Sequence, residues 1–431
     1  MYYWRGFGYN SMKVTILATG TRGDVQPYLA LGIGLQSSGH QVCVAASQVF
    51  SDLIHNLGLA YFPIGVDVKQ ILNGKAGQTL MKKGANPLRF IHLYAELARP
   101  YIERYLQDSW QACQHTDAII FSPLSFGASS FGELLDIPHF LAKIQPVGHT
   151  REFPSPVTPQ GIKLGGGYNW LTYEVMQKMF RLTFRRPVSN WLEHNLHAPP
   201  LSVWGNSKQA YRDQKPRLFG FSDAVVPKPH DWPDWWHVTG YWHLDGGDDW
   251  QPSLKLKQFL AAGRPPVYIG FGSMKGNDPQ SLTEIALKAL AHSGQRGILL
   301  TGWGGLSGTD LPETVFKVDN VPHDWLFPKM AAVVHHGGSG TTAAAMRAGV
   351  PSIVIPFMAD QPFWGYRVAQ LGVGPAPIPQ KKLTAEAFAA AIQDAIHNQR
   401  MRDRAYTLGQ TIRAEDGVAK AVDVFNCVVT A

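Results

Sequence analysis

The chain has 431 residues, of which 45% are hydrophobic and 16% are charged. This composition excludes an intrinsically disordered protein, and the length is sufficient for two domains that each bury a core. The three cysteines, Cys43, Cys113 and Cys427, are too few and too scattered for a disulfide framework or a cysteine metal site, so we expect a cytoplasmic protein.

The formal net charge of +7 is compatible with anionic partners. The basic residues form no long runs, and the sequence has no zinc-finger or RNA-binding motif, which argues against nucleic acid as a partner. Two interpretations stay open: peripheral attraction to an anionic membrane surface, or a charge that only keeps the protein in solution. No apolar stretch approaches the roughly 20 residues that span a bilayer. Residues 1–12 lack the apolar segment of a signal peptide.

From residue 12 to residue 225 the sequence alternates strand and helix patterns. Short apolar runs followed by turns and helical patterns are typical of a parallel, Rossmann-like sheet. Pro27 fits the first turn of a helix that we predict to end near Ser38, and residues 69–112 are predicted mainly as helix. The predicted strands of this half are 13–18, 41–46, about 61–64 and 118–121.

Residues 226–251 are dense in Pro, Trp, Asp and Gly, which is typical of a connection rather than of a long element. We therefore predict a first domain at 12–225, an interdomain linker at 226–251 and a second domain at 252–431. The second domain repeats the order of apolar strand, turn and helix, which predicts a second Rossmann-like sheet. Its last helical stretch starts near Ala385.

Three glycine-rich turns follow predicted strands: GTRGDV at 20–25, GFGSM at 270–274 and HHGGSGTT at 335–342. None of them matches the dinucleotide-binding fingerprint or a P-loop, so an NAD enzyme and an NTPase are not supported. In the third turn, glycines let backbone N–H groups approach a ligand, and the unpaired N–H groups at a helix start favour an anion such as a phosphate.

The strand after the third turn ends at Asp360 and Gln361. A carboxylate accepts and an amide both accepts and donates hydrogen bonds, so this pair suits sugar hydroxyls at the carboxyl end of a parallel sheet. An ordinary glycine turn with a solvent-facing histidine pair is the alternative. The combination of glycine turn, helix start, His336 and the Asp-Gln pair favours a sugar-nucleotide site.

Two segments of the second domain resemble a known family: VPHDWLFPKMAAVVHHGGSGTT and PFMADQPFWGYRV. They resemble the donor-binding signature of family 1 glycosyltransferases, specifically the sterol glucosyltransferase branch. The resemblance implies an α/β protein of the GT-B fold, with two Rossmann-like domains facing each other across a cleft and a C-terminal helix crossing back to the first domain. It also implies UDP-glucose as co-substrate and no cofactor.

The turn GTRGDV resembles the corresponding turn of sterol and antibiotic glycosyltransferases, in which the aspartate is the catalytic base. The resemblance thus implies that Asp24 accepts the proton of an acceptor hydroxyl while that oxygen attacks the anomeric carbon, with inversion. A helix-capping role for Asp24 is the alternative. The chain contains no Asp-x-Asp, so no metal is expected to hold the diphosphate.

The donor-binding residues that we predict surround the second and third glycine turns and the Asp-Gln pair. Plant members of the family carry a ribose-binding acid and a stacking Trp where this chain has Ala344 and Val318, so Trp303 and Val321 are candidates for the nucleoside instead. The predicted donor-binding set is Gly272, Ser273, Trp303, Val321, His336, Gly338, Ser339, Gly340, Thr341, Asp360 and Gln361.

The loop at 143–161 and the aromatic run after it resemble loops that border the acceptor channel in sterol glucosyltransferases. A surface loop over an aromatic core is the alternative. Aromatic residues of 69–112 are either core or line an acceptor path. Plant members pair their catalytic histidine with an Asp where Ser122 stands here, which argues for Asp24 as the lone base. The predicted acceptor-binding residues are Ser122, His149, Arg151 and Phe153.

Together with these residues, the resemblance implies a metal-independent, inverting glucosyltransferase whose partners are a UDP-sugar donor and a lipophilic small-molecule acceptor, a sterol in the first place. Two alternatives stay open. One is glycosylation of another small aglycone, such as a carotenoid, a polyketide or a flavonoid. The other is a nucleotide-sugar-binding GT-B protein without transfer activity.

Overall fold

The architecture was analysed in a computed structural model. The structure describes residues 11–66, 71, 74, 77, 79, 87–202, 214–245, 250–272, 279–300, 311–319 and 321–430.

Two parallel sheets carry the described part of the chain. The first has seven strands in the order β3-β2-β1-β4-β5-β6-β7, and the second has five in the order β10-β9-β8-β11-β12. The strands of the first sheet are β1 (Lys13–Leu17), β2 (Gln41–Ser47), β3 (Ala60–Ile64), β4 (Ala118–Phe121), β5 (His139–Lys143), β6 (Arg217–Phe219) and β7 (Trp236–Val238). Those of the second are β8 (Val267–Gly270), β9 (Gly297–Leu300), β10 (Val315–Val318), β11 (Ala332–His335) and β12 (Ser352–Val354).

Helices connect the strands and cover both sheets, as parallel pairing requires. In the first half they are α1 (Arg22–Ser37), α2 (Ser51–Asn56), α3 (Pro87–Ala98), α4 (Ile102–Cys113), α5 (Ala128–Leu134) and α6 (Gly166–Leu196). In the second half they are α7 (Leu254–Ala261), α8 (Pro279–Ser293), α9 (His323–Leu326), α10 (Ser339–Ala348), α11 (Gln361–Leu371), α12 (Ala385–His397), α13 (Gln399–Ala414) and α14 (Gly417–Val429).

The C-terminal helix α14 packs on the first domain. Val422 and Phe425 belong to the hydrophobic core formed by β1, β2 and α1, and Asn426 bonds to His40 at 2.8 Å. Both sheets also share an apolar cluster in which Phe219 and Phe221 of the first domain meet Trp364 of the second. The domains are therefore joined by a packed interface as well as by the chain.

The strand order reverses between β1 and β4 in the first sheet and between β8 and β11 in the second. Open parallel sheets bind ligands at such a switch point, beyond the carboxyl ends of the strands. The turns after β1, β8 and β11 are the three glycine turns of the sequence, and all three therefore border a switch point.

The structure differs from the sequence-based expectation at two boundaries. Helix α1 begins at Arg22 rather than near Pro27, because Thr21 and Asp24 form a capping box at its first turn. Strand β7, in the range predicted as the interdomain linker, pairs with β6 in the first sheet. The first sheet therefore continues through Val238. The sequence did not indicate β7, because three residues next to Pro and Trp residues show no periodic pattern.

Candidate active site

Asp24 lies in the first turn of α1, directly after the carboxyl end of β1. Its Oδ2 atom accepts hydrogen bonds from the Thr21 backbone N–H at 2.8 Å and from the Thr21 hydroxyl at 2.9 Å. A Cβ atom on Gly20, whose φ is +139°, would lie 2.5 Å from Oδ2, so only glycine fits against this carboxylate. Among the described residues Oδ1 has no hydrogen-bond partner, which leaves one carboxylate oxygen for a ligand.

Burial governs the electrostatics of Asp24. It raises the pKa of the carboxyl above its usual value, and the two Thr21 bonds lower it by less. The Asp24 charge in turn helps to raise the pKa values of the Tyr28 and Tyr94 hydroxyls, after their own burial. Asp24 therefore lies within electrostatic reach of two tyrosine hydroxyls, and a raised pKa makes a carboxylate a better proton acceptor.

Aromatic side chains from three elements gather beside this carboxylate. The rings of Phe126 and Phe184 lie 4.6 Å apart, and Tyr94 meets Phe184 at 5.9 Å. Tyr105 shares a 2.8 Å hydrogen bond with Thr19 of the glycine turn. Tyr94 and Tyr105 belong to the aromatic residues of 69–112, which the sequence allows as core or as an acceptor path. Phe184 lies in the aromatic run after the loop at 143–161, and Phe126 is a residue that the sequence analysis did not single out.

Ser122 supports the same turn from the end of β4. Its buried hydroxyl bonds to Ser125 at 2.9 Å and accepts from the Thr19 N–H at 3.4 Å. The structure thus brings Ser122 to the switch point beside Asp24, with its hydroxyl engaged inside the protein.

The turn after β11 presents His336 and an uncapped helix. The His336 ring lies between Gly272 and Gly338, and a Cβ on Gly338 would overlap its Nε2 atom. Its Nδ1 atom is buried and has no partner among the described residues. Helix α10 has Gly338 at its N-cap and no capping side chain, so the first N–H groups of α10, from Ser339 onward, are available to an anion.

Three histidines at this end of the second sheet are neutral at pH 7. Burial lowers the pKa of His323 to about 4, that of His335 to about 3 and that of His336 to about 4. The Arg22 charge adds to the shift of His323. His335 is fixed by accepting the Gly337 N–H at 3.1 Å. His323, in the segment VPHDW, is a site residue that the sequence reasoning did not single out.

Asp360 and Gln361 lie at the start of α11. Asp360 Oδ2 accepts the indole N–H of Trp364 at 2.9 Å. Burial raises the Asp360 pKa to about 6, with a smaller contribution from the charge of Asp24. Gln361 Oε1 accepts the N–H groups of Phe357 and Met358 at 2.8 and 3.1 Å. The Gln361 oxygen therefore holds its own turn, and only its amide nitrogen is left to donate to a ligand.

The two domains meet at these turns. A Cβ on Gly340 would lie 3.7 Å from the carbonyl oxygen of Gly23. That carbonyl lacks a helical donor, because Pro27 has no N–H. Together with the effects of Arg22 on His323 and of Asp24 on Asp360, this contact shows that the N-termini of α1 and α10 face one another across the cleft.

The other predicted site residues lie elsewhere or cannot be described. His149 pairs with Glu174 at 3.0 Å, the Arg151 N–H bonds to Asp231 at 2.7 Å, and Phe153 packs on Phe363 at 5.7 Å. His149, Arg151 and Phe153 lie in the segment that follows β5. Their partners lie in α6, between β6 and β7, and in α11 respectively. Val321 is buried among the side chains beside β10. Ser273 and Trp303 lie outside the described residues.

Membrane and metal features were also sought in the described ranges. Within them no helix combines the length and the apolar character needed to cross a bilayer, and no group of three or more His, Cys, Asp or Glu side chains is arranged to hold a metal ion. Independence from metal stays a prediction.

Solved structures with this architecture are glycosyltransferases. The kitacinnamycin glycosyltransferase superposes with a TM-score of 0.70 at 19% identity, covering 97% of this chain and 99% of its own. The glycosyltransferase VinC, in complex with DTDP, superposes with a TM-score of 0.63 at 20% identity, covering 97% and 99%. Identities this low establish the fold alone. The class is GT-B, and the predicted fold is confirmed.

Sequence comparisons identify the family. The Glycosyltransferase family 28 N-terminal domain matches residues 14–154, and the Erythromycin biosynthesis protein CIII-like, C-terminal domain matches residues 304–423. The sterol 3-beta-glucosyltransferase of Yarrowia lipolytica is 37% identical over 426 residues, which are 96% of this chain and 28% of that protein. The chain therefore spans less than a third of this relative's length. It belongs to the GT-B glycosyltransferases and is similar to their sterol 3-beta-glucosyltransferase branch.

Proposed function

We propose that this chain transfers glucose from UDP-glucose to the hydroxyl of a lipophilic acceptor, a sterol, with inversion at the anomeric carbon. One observation carries the proposal. Asp24, a half-buried carboxylate with one unbonded oxygen, lies opposite the uncapped N-terminus of α10 across the domain cleft, beside a cluster of aromatic side chains.

In the proposed reaction, the acceptor oxygen forms a bond to the anomeric carbon while the bond from that carbon to the diphosphate oxygen breaks. The acceptor proton passes to Asp24, and the electron pair of the broken bond leaves with UDP. The raised pKa of Asp24 favours this transfer, because a carboxyl with a pKa nearer to the working pH takes a proton more readily.

The departing diphosphate gains negative charge where α10 begins. Exposed N–H groups and the positive end of the helix dipole stabilise that charge. His336 is neutral, so it can donate one ring N–H to a phosphate oxygen without adding a fixed positive charge that would hold UDP after transfer. Asp360, beside Asp24, is placed to accept hydrogen bonds from the glucose hydroxyls.

The acceptor is assigned from the aromatic cluster of Tyr94, Phe126, Phe180 and Phe184 together with the sterol specificity in the relative's name. Flat apolar surfaces of this kind suit a rigid ring system with a single hydroxyl. The uridine is the part of the donor for which the described residues offer no specific partner, so UDP and TDP sugars belong in the same test.

The test is an assay of nucleotide release with the full chain, using UDP-glucose and TDP-glucose, each with a sterol, a flavonoid, a carotenoid alcohol or no acceptor. We expect sterol-dependent release from UDP-glucose and a sterol glucoside by mass spectrometry. Release without any acceptor dependence, or tight UDP-glucose binding with no product from any acceptor, would contradict the proposal. The second result would favour a binding protein without transfer activity.

A further inference from the structure

The outer face of α6 carries an exposed apolar stripe. Of the twelve large hydrophobic side chains exposed in the described part of the chain, six lie between Ile162 and Leu182. Leu171, Val175 and Leu182 are 53%, 43% and 54% exposed. At about 100° of rotation per residue, these three fall within roughly 40° of one another around the helix. They therefore form one line along the helix, and Ile162 and Leu164, in the loop just before it, are exposed as well.

Basic residues surround this stripe. By the same helical geometry Lys178 lies at one edge of the stripe and Arg186 at the other, and Lys163 is exposed in the preceding loop. Residues 162–186 contain five basic residues and one acidic residue, Glu174, which pairs with His149. The apolar stripe thus has a positively charged rim.

The opposite face of α6 borders the candidate acceptor space. Phe180 and Phe184 point into the core, where they pack on Phe126 at 5.9 and 4.6 Å. Tyr94 of α3 contacts the ring of Phe184, and the charge of Asp24 helps to raise the pKa of the Tyr94 hydroxyl. One helix therefore separates the aromatic cluster beside Asp24 from the exposed stripe.

The charge distribution indicates which kind of partner binds this face. The core of a protein–protein interface is depleted of Lys, whereas a helix lying in a bilayer surface has an apolar line flanked by Lys and Arg. Anionic lipid headgroups attract each basic residue near the surface. An anionic bilayer is therefore the partner that complements both the stripe and its rim.

We propose that the outer face of α6, together with residues 162–165, docks on an anionic lipid bilayer. In the docked protein the stripe lies among the acyl chains nearest the headgroups, and Lys163 and Arg186 contact the headgroups. The docking does not depend on the proposed function. If the acceptor is a sterol, as proposed above, docking brings the membrane that contains it to the helix lining the aromatic cluster.

The experiment is flotation of the full chain with phosphatidylcholine vesicles that contain or lack phosphatidylserine. We expect the protein to float with phosphatidylserine vesicles and to float less in high salt, which screens the basic rim. The triple variant Leu171→Gln, Val175→Gln, Leu182→Gln should bind these vesicles roughly tenfold or more weakly, because it removes the apolar contact while leaving every charge.

The chain offers a matched control. Val49, Leu134 and Leu254 are the same residue types, exposed by 44%, 42% and 70% at scattered positions. Their triple replacement by Gln should leave vesicle binding unchanged. Circular dichroism establishes that both variants are folded, and UDP release with a detergent-dispersed acceptor should be equal in both, so a failure of docking is distinguishable from a failure of catalysis.

Three results would overturn the proposal. The wild-type chain could float with neither kind of vesicle, or the α6 variant could bind as tightly as the wild type. The third result would be that light scattering of the lipid-free proteins shows a dimer for the wild type and a monomer for the α6 variant, while vesicle binding is unchanged. The stripe would then be a contact between copies of the chain.

Discussion

The two junctions that meet at the domain cleft have the same local architecture, a buried parallel strand followed by a glycine turn and a helix. They differ in how the first turn of the helix is satisfied. At the start of α1, Asp24 accepts the N–H and the hydroxyl of the N-cap residue Thr21, so a carboxylate is bound in this turn. In α10 the N-cap is Gly338, and no side chain caps the helix.

This difference separates the chemistry of the two junctions. The capping box fixes a carboxylate at the start of α1, and its negative charge disfavours a second anion there. Helix α10 begins without an acidic or capping side chain, so its start is a site for an anion. The histidine beside the uncapped start is neutral, and the carboxylate beside the capped start has a raised pKa. We therefore assign proton acceptance to the first junction and the diphosphate to the second.

The largest expected effect comes from removing the carboxylate of the capped junction. Asp24→Asn keeps the shape of the side chain but cannot accept a proton from the acceptor, so kcat should fall roughly a thousandfold. UDP-glucose affinity, measured by calorimetry, should change little because the donor binds at the other junction. A kcat within a few-fold of the wild type would show that Asp24 is only a helix cap.

The next effect comes from the uncapped junction. His336→Ala removes a donor to the diphosphate, and UDP-glucose should bind roughly tenfold to a hundredfold more weakly. His336→Gln is the matched control, because its amide can still donate, and it should recover part of the affinity. Equal affinities of wild type and His336→Ala would assign the histidine to packing between Gly272 and Gly338.

The electrostatic contact between the domains predicts a pH effect. Asp360 has a pKa raised to about 6, so it is charged above that pH and becomes protonated as the pH falls through it. A protonated Asp360 accepts sugar hydroxyls less well, and kcat/KM for UDP-glucose should therefore fall below about pH 6. Burial also raises the pKa of Asp24 above its usual value, so protonation of Asp24 adds to this acid limb.

Asp360→Asn tests this contact. It removes the carboxyl that is protonated first as the pH falls, so the acid limb should then follow the protonation of Asp24 alone and move to lower pH. Asp423→Asn, an exposed substitution on α14, is the control and should leave the profile in place. An acid limb that does not move in Asp360→Asn would mean that protonation of Asp360 does not limit the reaction.

Most strands were predictable because buried parallel strands are short, wholly apolar runs such as AIIF at 118–121. Strands β5, β6 and β7 were not predicted. Of these, β6 and β7 have only three residues each, among prolines and tryptophans, and show no periodicity. The start of α1 was placed too late because Pro27 fits a first turn equally well, whereas Thr21 and Asp24 define the actual start. Strand pairing stabilises β6 and β7, and local sequence does not report pairing.

The candidate site shows the same division. Asp24, His336 and Asp360 were predictable from their turns, because each follows an apolar strand in a distinctive motif. Their mutual arrangement was not, because the contact of Gly23 with Gly340 and the effect of Asp24 on Asp360 depend on how two domains pack. The same holds for Gln361. Its side-chain oxygen accepts the Phe357 N–H within its own turn, whereas the sequence motif indicated an amide free to bind a ligand.

The smallest expected effect tests the capping bond itself. Thr21→Val removes the hydroxyl that donates to Asp24 Oδ2 but keeps the backbone N–H, so Asp24 loses one of the two bonds that lower its pKa. A lost hydrogen bond to a carboxylate corresponds to a rise of about half a pH unit or more. The acid limb of kcat should move up by this amount while kcat at high pH stays near the wild-type value. Thr21→Ser keeps the hydroxyl and should keep the limb. If Thr21→Val leaves the limb in place, the hydroxyl bond to Asp24 Oδ2 does not tune the base.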